Sequence, residues 1–67
     1  MKVVIQTTEE VTSGEVGITT VIDAITYEWY YGYFLVYTNT LMNYFHISNL
    51  ESITVDGYDI PIPVIQT

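Results

Sequence analysis

Val, Ile and Thr supply 27 of the 67 residues, and Tyr, Phe and Trp another ten. Against them stand one Ala and three Leu. β-Branched and aromatic side chains lose rotamer freedom in a helix and suit a half-buried pleated surface. The composition therefore predicts an all-β protein: a small single-domain antiparallel sheet or SH3-like barrel of five to six short strands. A chain this short buries only about 60% of its unfolded surface, so an isolated copy has a thin core. Disulfides, metals or oligomerisation usually supplement such cores. The sequence has no cysteine, so disulfides and thiolate metal sites are excluded. Oligomerisation remains.

Patterning divides the chain further. The first strand is read as Lys2 to Thr8, followed by a polar loop from Glu9 to Gly17. A long second strand, with a bend, covers Ile18 to Trp29. Tyr30-Tyr31-Gly32 reads as a turn with positive φ at Gly32. Tyr33 to Thr38 is a strand, Asn39-Thr40 a turn and Met42 to Ser48 a strand. Ser48 to Glu51 suggests a short 3₁₀ turn, Ser52 to Val55 a strand, and Asp56-Gly57 a hairpin turn. Ile60 to Ile65 reads as the last strand. Pro61 and Pro63 remove two N–H groups from the same side, which guards an edge against further pairing. The rival for Thr20 to Trp29 is a helix, since Ile22, Ile25 and Trp29 sit at helical spacing.

The order strand, turn, strand, 3₁₀ turn, strand over residues 32–55, GYFLVYTNTLMNYFHISNLESITV, resembles that of SH3-like and Sm-like small barrels. The resemblance is topological. It implies a small barrel and carries over no functional residue.

Strand alternation leaves no polar face in this region. Phe34, Val36, Phe45 and Ile47, closed by Leu50, Ile53 and Val55, are the expected core. Tyr33, Leu35, Tyr37, Met42 and Tyr44, with Trp29, form a second apolar face. A contact surface is the expectation, because Tyr, Trp and Met are enriched at interfaces. Packing beneath the chain termini is the alternative. A homodimer through this face is expected.

Charge bounds the partners. Eight carboxylates face one lysine and no arginine, for a net charge of −7. No basic stripe exists for nucleic acid, and anionic membranes would repel the surface. The longest apolar stretch, Trp29 to Tyr37, is too short to span a membrane. No signal peptide is expected, and the location read from this is cytoplasmic. A basic protein is the expected partner. Glu9, Glu10 and Glu15 form one acidic group, and Glu51, Asp56 and Asp59 a second, near the last turns.

Catalytic chemistry finds little support. His46 is the lone histidine and the lone conventional base for a Ser or Thr nucleophile. A structural role suits it better. Asp56-Gly57-Tyr58-Asp59 lacks the ligand spacing of a calcium loop. Asp23 and Glu28 lie among apolar neighbours, but exposure on an edge explains them without chemistry. No phosphate-binding glycine loop is present. Neither a metal nor a cofactor is expected. The leading expectation is a non-enzymatic acidic protein that engages and inhibits a basic, nucleic-acid-handling protein. Phage-type anti-restriction or anti-CRISPR proteins play such a role. The alternatives are a homo-oligomer enclosing a small ligand between tyrosine-lined interfaces, and a structural assembly subunit.

Overall fold

A computed structural model of the protein describes residues 1–64. The elements are β1 (Lys2–Val11), β2 (Gly14–Asp23), β3 (Thr26–Tyr30), β4 (Tyr33–Tyr37), β5 (Met42–His46), a 3₁₀ turn (Ile47–Asn49), β6 (Leu50–Val55) and β7 (Tyr58–Asp59). They form two antiparallel sheets, ordered β2-β1-β6-β7 and β3-β4-β5. The all-β expectation holds and the helical alternative at Thr20 to Trp29 does not. The strand order that resembles SH3-like barrels is present, but the two sheets do not close into a barrel.

Several boundaries move by one or two residues, and three differences from the sequence reading are larger. Glu9 to Gly17 is not a loop: β1 pairs with β2 without interruption from Lys2↔Asp23 to Val11↔Gly14. Its glycines and carboxylates suggested a loop, yet Val11, Val16 and Ile18 retain β character at alternate positions. The long second strand is two strands in different sheets, separated at Ala24-Ile25. Ala24, the single alanine, is buried at that corner, and its N–H donates to the Met1 carbonyl at 2.8 Å. Among the described residues the last strand is Tyr58–Asp59, and positions 60–64 of the expected Ile60 to Ile65 strand form none. Ile60 N–H still donates to the Ile53 carbonyl at 2.9 Å, and Ile60 and Ile62 pack against the core, but among the described residues no ladder continues past Asp59. Ile65 lies outside the described residues.

Of the three two-residue hairpin turns, Thr12-Ser13 joins β1 to β2, and the other two have both turn residues at positive φ. Tyr31 (43°) and Gly32 (82°) join β3 to β4; Asp56 (50°) and Gly57 (87°) join β6 to β7. Such turns match the right-handed twist of the strands they connect. A Cβ at Gly57 would meet nothing within 4 Å, so only the backbone resists substitution. Gly57→Ala should therefore destabilise by about 1 kcal/mol, the left-handed penalty for an L-residue, read as a lower urea midpoint.

The core lies between the sheets. Val3, Ile5, Ile22 and Ile53 from the larger sheet meet Phe34 and Val36 from the smaller, with Ala24 at the crossing. Phe34 is completely buried, and the rings of Tyr27 and Trp29 lie 5.4 and 4.8 Å from it. Of the expected core, Phe34, Val36, Ile47 and Ile53 are buried; Phe45, Leu50 and Val55 are only partly buried against it. β6 pairs with β1 from Val3↔Val55 to Thr7↔Leu50, with a register shift after Gln6. Beyond Thr7 the β1–β2 hairpin continues as a two-stranded ribbon with no third strand.

Candidate functional site

The outward face of β3-β4-β5 is a grid fixed by register. Its rows are Thr26-Tyr37-Met42, Glu28-Leu35-Tyr44 and Tyr30-Tyr33-His46. Leu35 sits at the centre. It is only 8% exposed although nothing else in the described chain covers this face, because its neighbours fold over it. Tyr30, Tyr33, Met42 and Tyr44 remain exposed. The Tyr33 ring meets Tyr44 at 6.0 Å and 73° and His46 at 5.0 Å and 86°. These edge-to-face contacts hold the rings upright as walls. They enclose an open groove of about 420 Å³ lined by Glu28, Tyr30, Tyr33, Leu35, Tyr37, Met42 and Tyr44.

Five of the six residues expected on this face are together there. Trp29 is not: it alternates with Glu28 and Tyr30 and points to the opposite side, against Phe34. Extending the second strand as far as Trp29 obscured this, since it left the register of β3 unset. Glu28 and Tyr30 belong to the groove in its place. A two-residue turn at Tyr31-Gly32 sets Glu28 opposite Leu35 and Tyr30 opposite Tyr33. Counting Tyr30 as part of the turn hid that pairing.

Glu28 is the single charged group in the groove. Burial, the Glu28 charge and a hydrogen bond to Glu28 push the Tyr37 phenol above its ordinary 10.0. The folded state thus holds this proton more tightly than the unfolded chain. That contribution to stability is present below pH 10.0 and is lost as pH rises through the folded value. Glu28→Gln should bring the Tyr37 titration back towards its ordinary value. Tyrosinate absorbance, with Tyr37→Phe subtracted as the reference, reads the shift.

The second candidate surface is acidic. All eight carboxylates are exposed. Among the described residues the single ion pair joins Asp23 to the amino group of Met1, at 3.8 Å. Glu9, Glu10 and Glu15 lie on the ribbon, and with Thr8, Ser48 and Asn49 they line a hollow beside the 3₁₀ turn. Odd residues of β1 aim their backbone groups at β2, as the bond from Ala24 N–H to the Met1 carbonyl shows. Glu10 and Glu15 are therefore a non-hydrogen-bonded pair, in which Cα atoms lie about 4.5 Å apart. Like charges so placed destabilise a hairpin.

The second acidic group does not hold together. Glu51 belongs with the ribbon, where its carboxylate accepts a hydrogen bond from the Thr8 hydroxyl. The bulge after Gln6 places it there. Asp56 lies at the other end of β1. Its Oδ1 accepts the Lys2 N–H at 2.7 Å while its own N–H donates to the Lys2 carbonyl at 2.8 Å, which closes the β1–β6 ladder. Asp59 stays near Asp56 in β7, opposite Thr54. Asp56 is thus committed to the fold, and the ribbon carries the concentrated charge.

His46 caps the 3₁₀ turn. Its Nδ1 accepts the Ser48 N–H at 3.1 Å and lies 2.6 Å from the Ser48 hydroxyl. Among the described residues no group of three His, Asp or Glu side chains is arranged to hold a metal. No helix among them is long and apolar enough to cross a membrane. Fold and surface define a small two-sheet β protein with an aromatic groove and an acidic hairpin end. No family model, curated protein or solved structure matches the chain.

Proposed function

We propose that this is a non-enzymatic, cytoplasmic binding protein whose acidic hairpin end engages a basic protein that handles nucleic acid, and inhibits it by occupying its basic surface. The supporting observation is the acidic surface: eight exposed carboxylates, of which Asp23 alone has an ion-pair partner among the described residues, and four of which gather on and beside one projecting ribbon. The Glu10–Glu15 juxtaposition supports it further. A pair that works against the hairpin is the kind of local conflict that functional sites tolerate. The field of the whole chain would steer a basic partner towards this end and raise its association rate.

The Ser48–His46 contact does not favour catalysis, because Nδ1 already serves the Ser48 backbone. The test is binding to the basic partner recovered from a host lysate. Inhibition should be stoichiometric, and affinity should fall as salt rises, since exposed charges are screened within about 8 Å at physiological ionic strength. A partner held equally tightly at high salt would overturn the electrostatic reading.

A further inference from the structure

The tyrosine groove has no counterpart to its one charge. Glu28 faces it from β3, the rings of Tyr33 and Tyr44 meet at 73° beside it, and no cationic residue lines it. Leu35 floors it and is already covered, so apart from Met42 at its edge the groove offers ring faces and a carboxylate. We propose that this groove is a receptor for a single arginine side chain of the partner protein. The proposal rests on the reading that the partner is basic, and adds a second, separate contact to it.

The chemistry of the lining selects a guanidinium. Its planar cation stacks on aromatic faces and forks onto a carboxylate with two parallel N–H donors. Glu28 and Tyr44 flank Leu35 in one row, so their Cα atoms are about 10 Å apart at two strand spacings. That leaves room for one flat group between the carboxylate and the ring.

The main rival occupant is a second copy of this chain. Three strands of five residues present a face of only about 17 by 14 Å. That is far short of the roughly 800 Å² per partner that a standard interface buries. Each copy also has a charge of −7, and a two-fold pairing would bring two Glu28 carboxylates towards one interface. Area and charge both favour a small cationic occupant.

The test titrates the whole protein with three capped tripeptides, Gly-Arg-Gly, Gly-Lys-Gly and Gly-citrulline-Gly, at millimolar concentration, following tyrosine ring protons and the backbone amides of the ribbon by NMR. Arg should shift the rings of Tyr30, Tyr33, Tyr37 and Tyr44 and bind several-fold more tightly than Lys, and citrulline should leave the rings unmoved. Glu28→Gln should weaken the Arg peptide at least fivefold, and Tyr44→Leu should do the same without touching the charge. Equal binding of citrulline would overturn the proposal, and so would shifts confined to the ribbon. Sedimentation at twice the chain mass of 7.7 kDa, abolished by Tyr44→Glu, would give the face to a second copy and also overturn it. A variant with Glu9, Glu10 and Glu15 changed to Gln separates the two readings. It should lose salt-sensitive partner binding yet keep the ring shifts produced by the Arg peptide.

Discussion

Phe34→Ala should leave the chain largely unfolded at 25 °C. Phe34 is completely buried at the junction of the two sheets, in contact with the rings of Tyr27 and Trp29. Truncating a buried phenylalanine removes its transfer free energy and leaves a cavity, together about 3–5 kcal/mol. Stability of about 0.05–0.15 kcal/mol per residue puts a chain of this length near that same range. The loss therefore consumes most or all of it. Phe45→Ala, at a partly buried position, should destabilise less and leave a folded protein. Trp29 reports both, since its indole rests on Phe34 in the folded state. Urea titration followed by its fluorescence should give a cooperative transition for Phe45→Ala and none for Phe34→Ala. A folded Phe34→Ala protein would mean that the sheets are held together elsewhere.

The second large effect concerns the acidic end. Changing Glu9, Glu10, Glu15 and Glu51 to Lys alters the charge by two units at each site, from −7 to +1. Against a basic partner this replaces attraction by like-charge contacts costing several kcal/mol, on the order of a thousandfold in affinity. Glu15→Lys alone makes a sharper test. It sets a cation opposite Glu10 and should stabilise the hairpin by about 0.2–1 kcal/mol while weakening the partner. Thermal denaturation and titration calorimetry on the same sample should thus move in opposite directions. If affinity survives both variants, the ribbon is not the contact.

Much of this architecture was legible in the residues. β-Branched and aromatic content gave the class, and Gly32 and Asp56-Gly57 gave two of the three two-residue turns; the third, Thr12-Ser13, lay inside the stretch read as a loop. Alternation from Tyr33 to Ile47 gave two faces and most of the groove. What stayed hidden depends on register between distant segments. The core partners Val3, Ile5 and Ile22 are recognisable as apolar but say nothing alone of which sheet they meet. Glu51 joins the ribbon only because a bulge after Gln6 shifts the β1–β6 pairing. Asp56 loses its place among free charges because its side chain serves the Lys2 amide, a contact across 54 positions of sequence. Trp29 and Glu28 exchanged roles on a single-residue question, which side of the strand each one takes, and only the Tyr31-Gly32 turn decides it.

Because β6 begins opposite Thr7, the ribbon beyond it has no third strand, and past the Thr8–Glu51 hydrogen bond it rests on its own cross-strand bonds. A lone two-stranded hairpin is marginal in water. Its amides should therefore exchange with solvent through local openings, well before the strands beside Phe34 release theirs. The charged end of the molecule is then its loosest part. A partner gripping it must first still it, at about 0.5–1.5 kcal/mol for each side chain immobilised. Capture would be quick, since charge sets the encounter, and release would be quick too, since the grip lies on a segment that keeps coming undone.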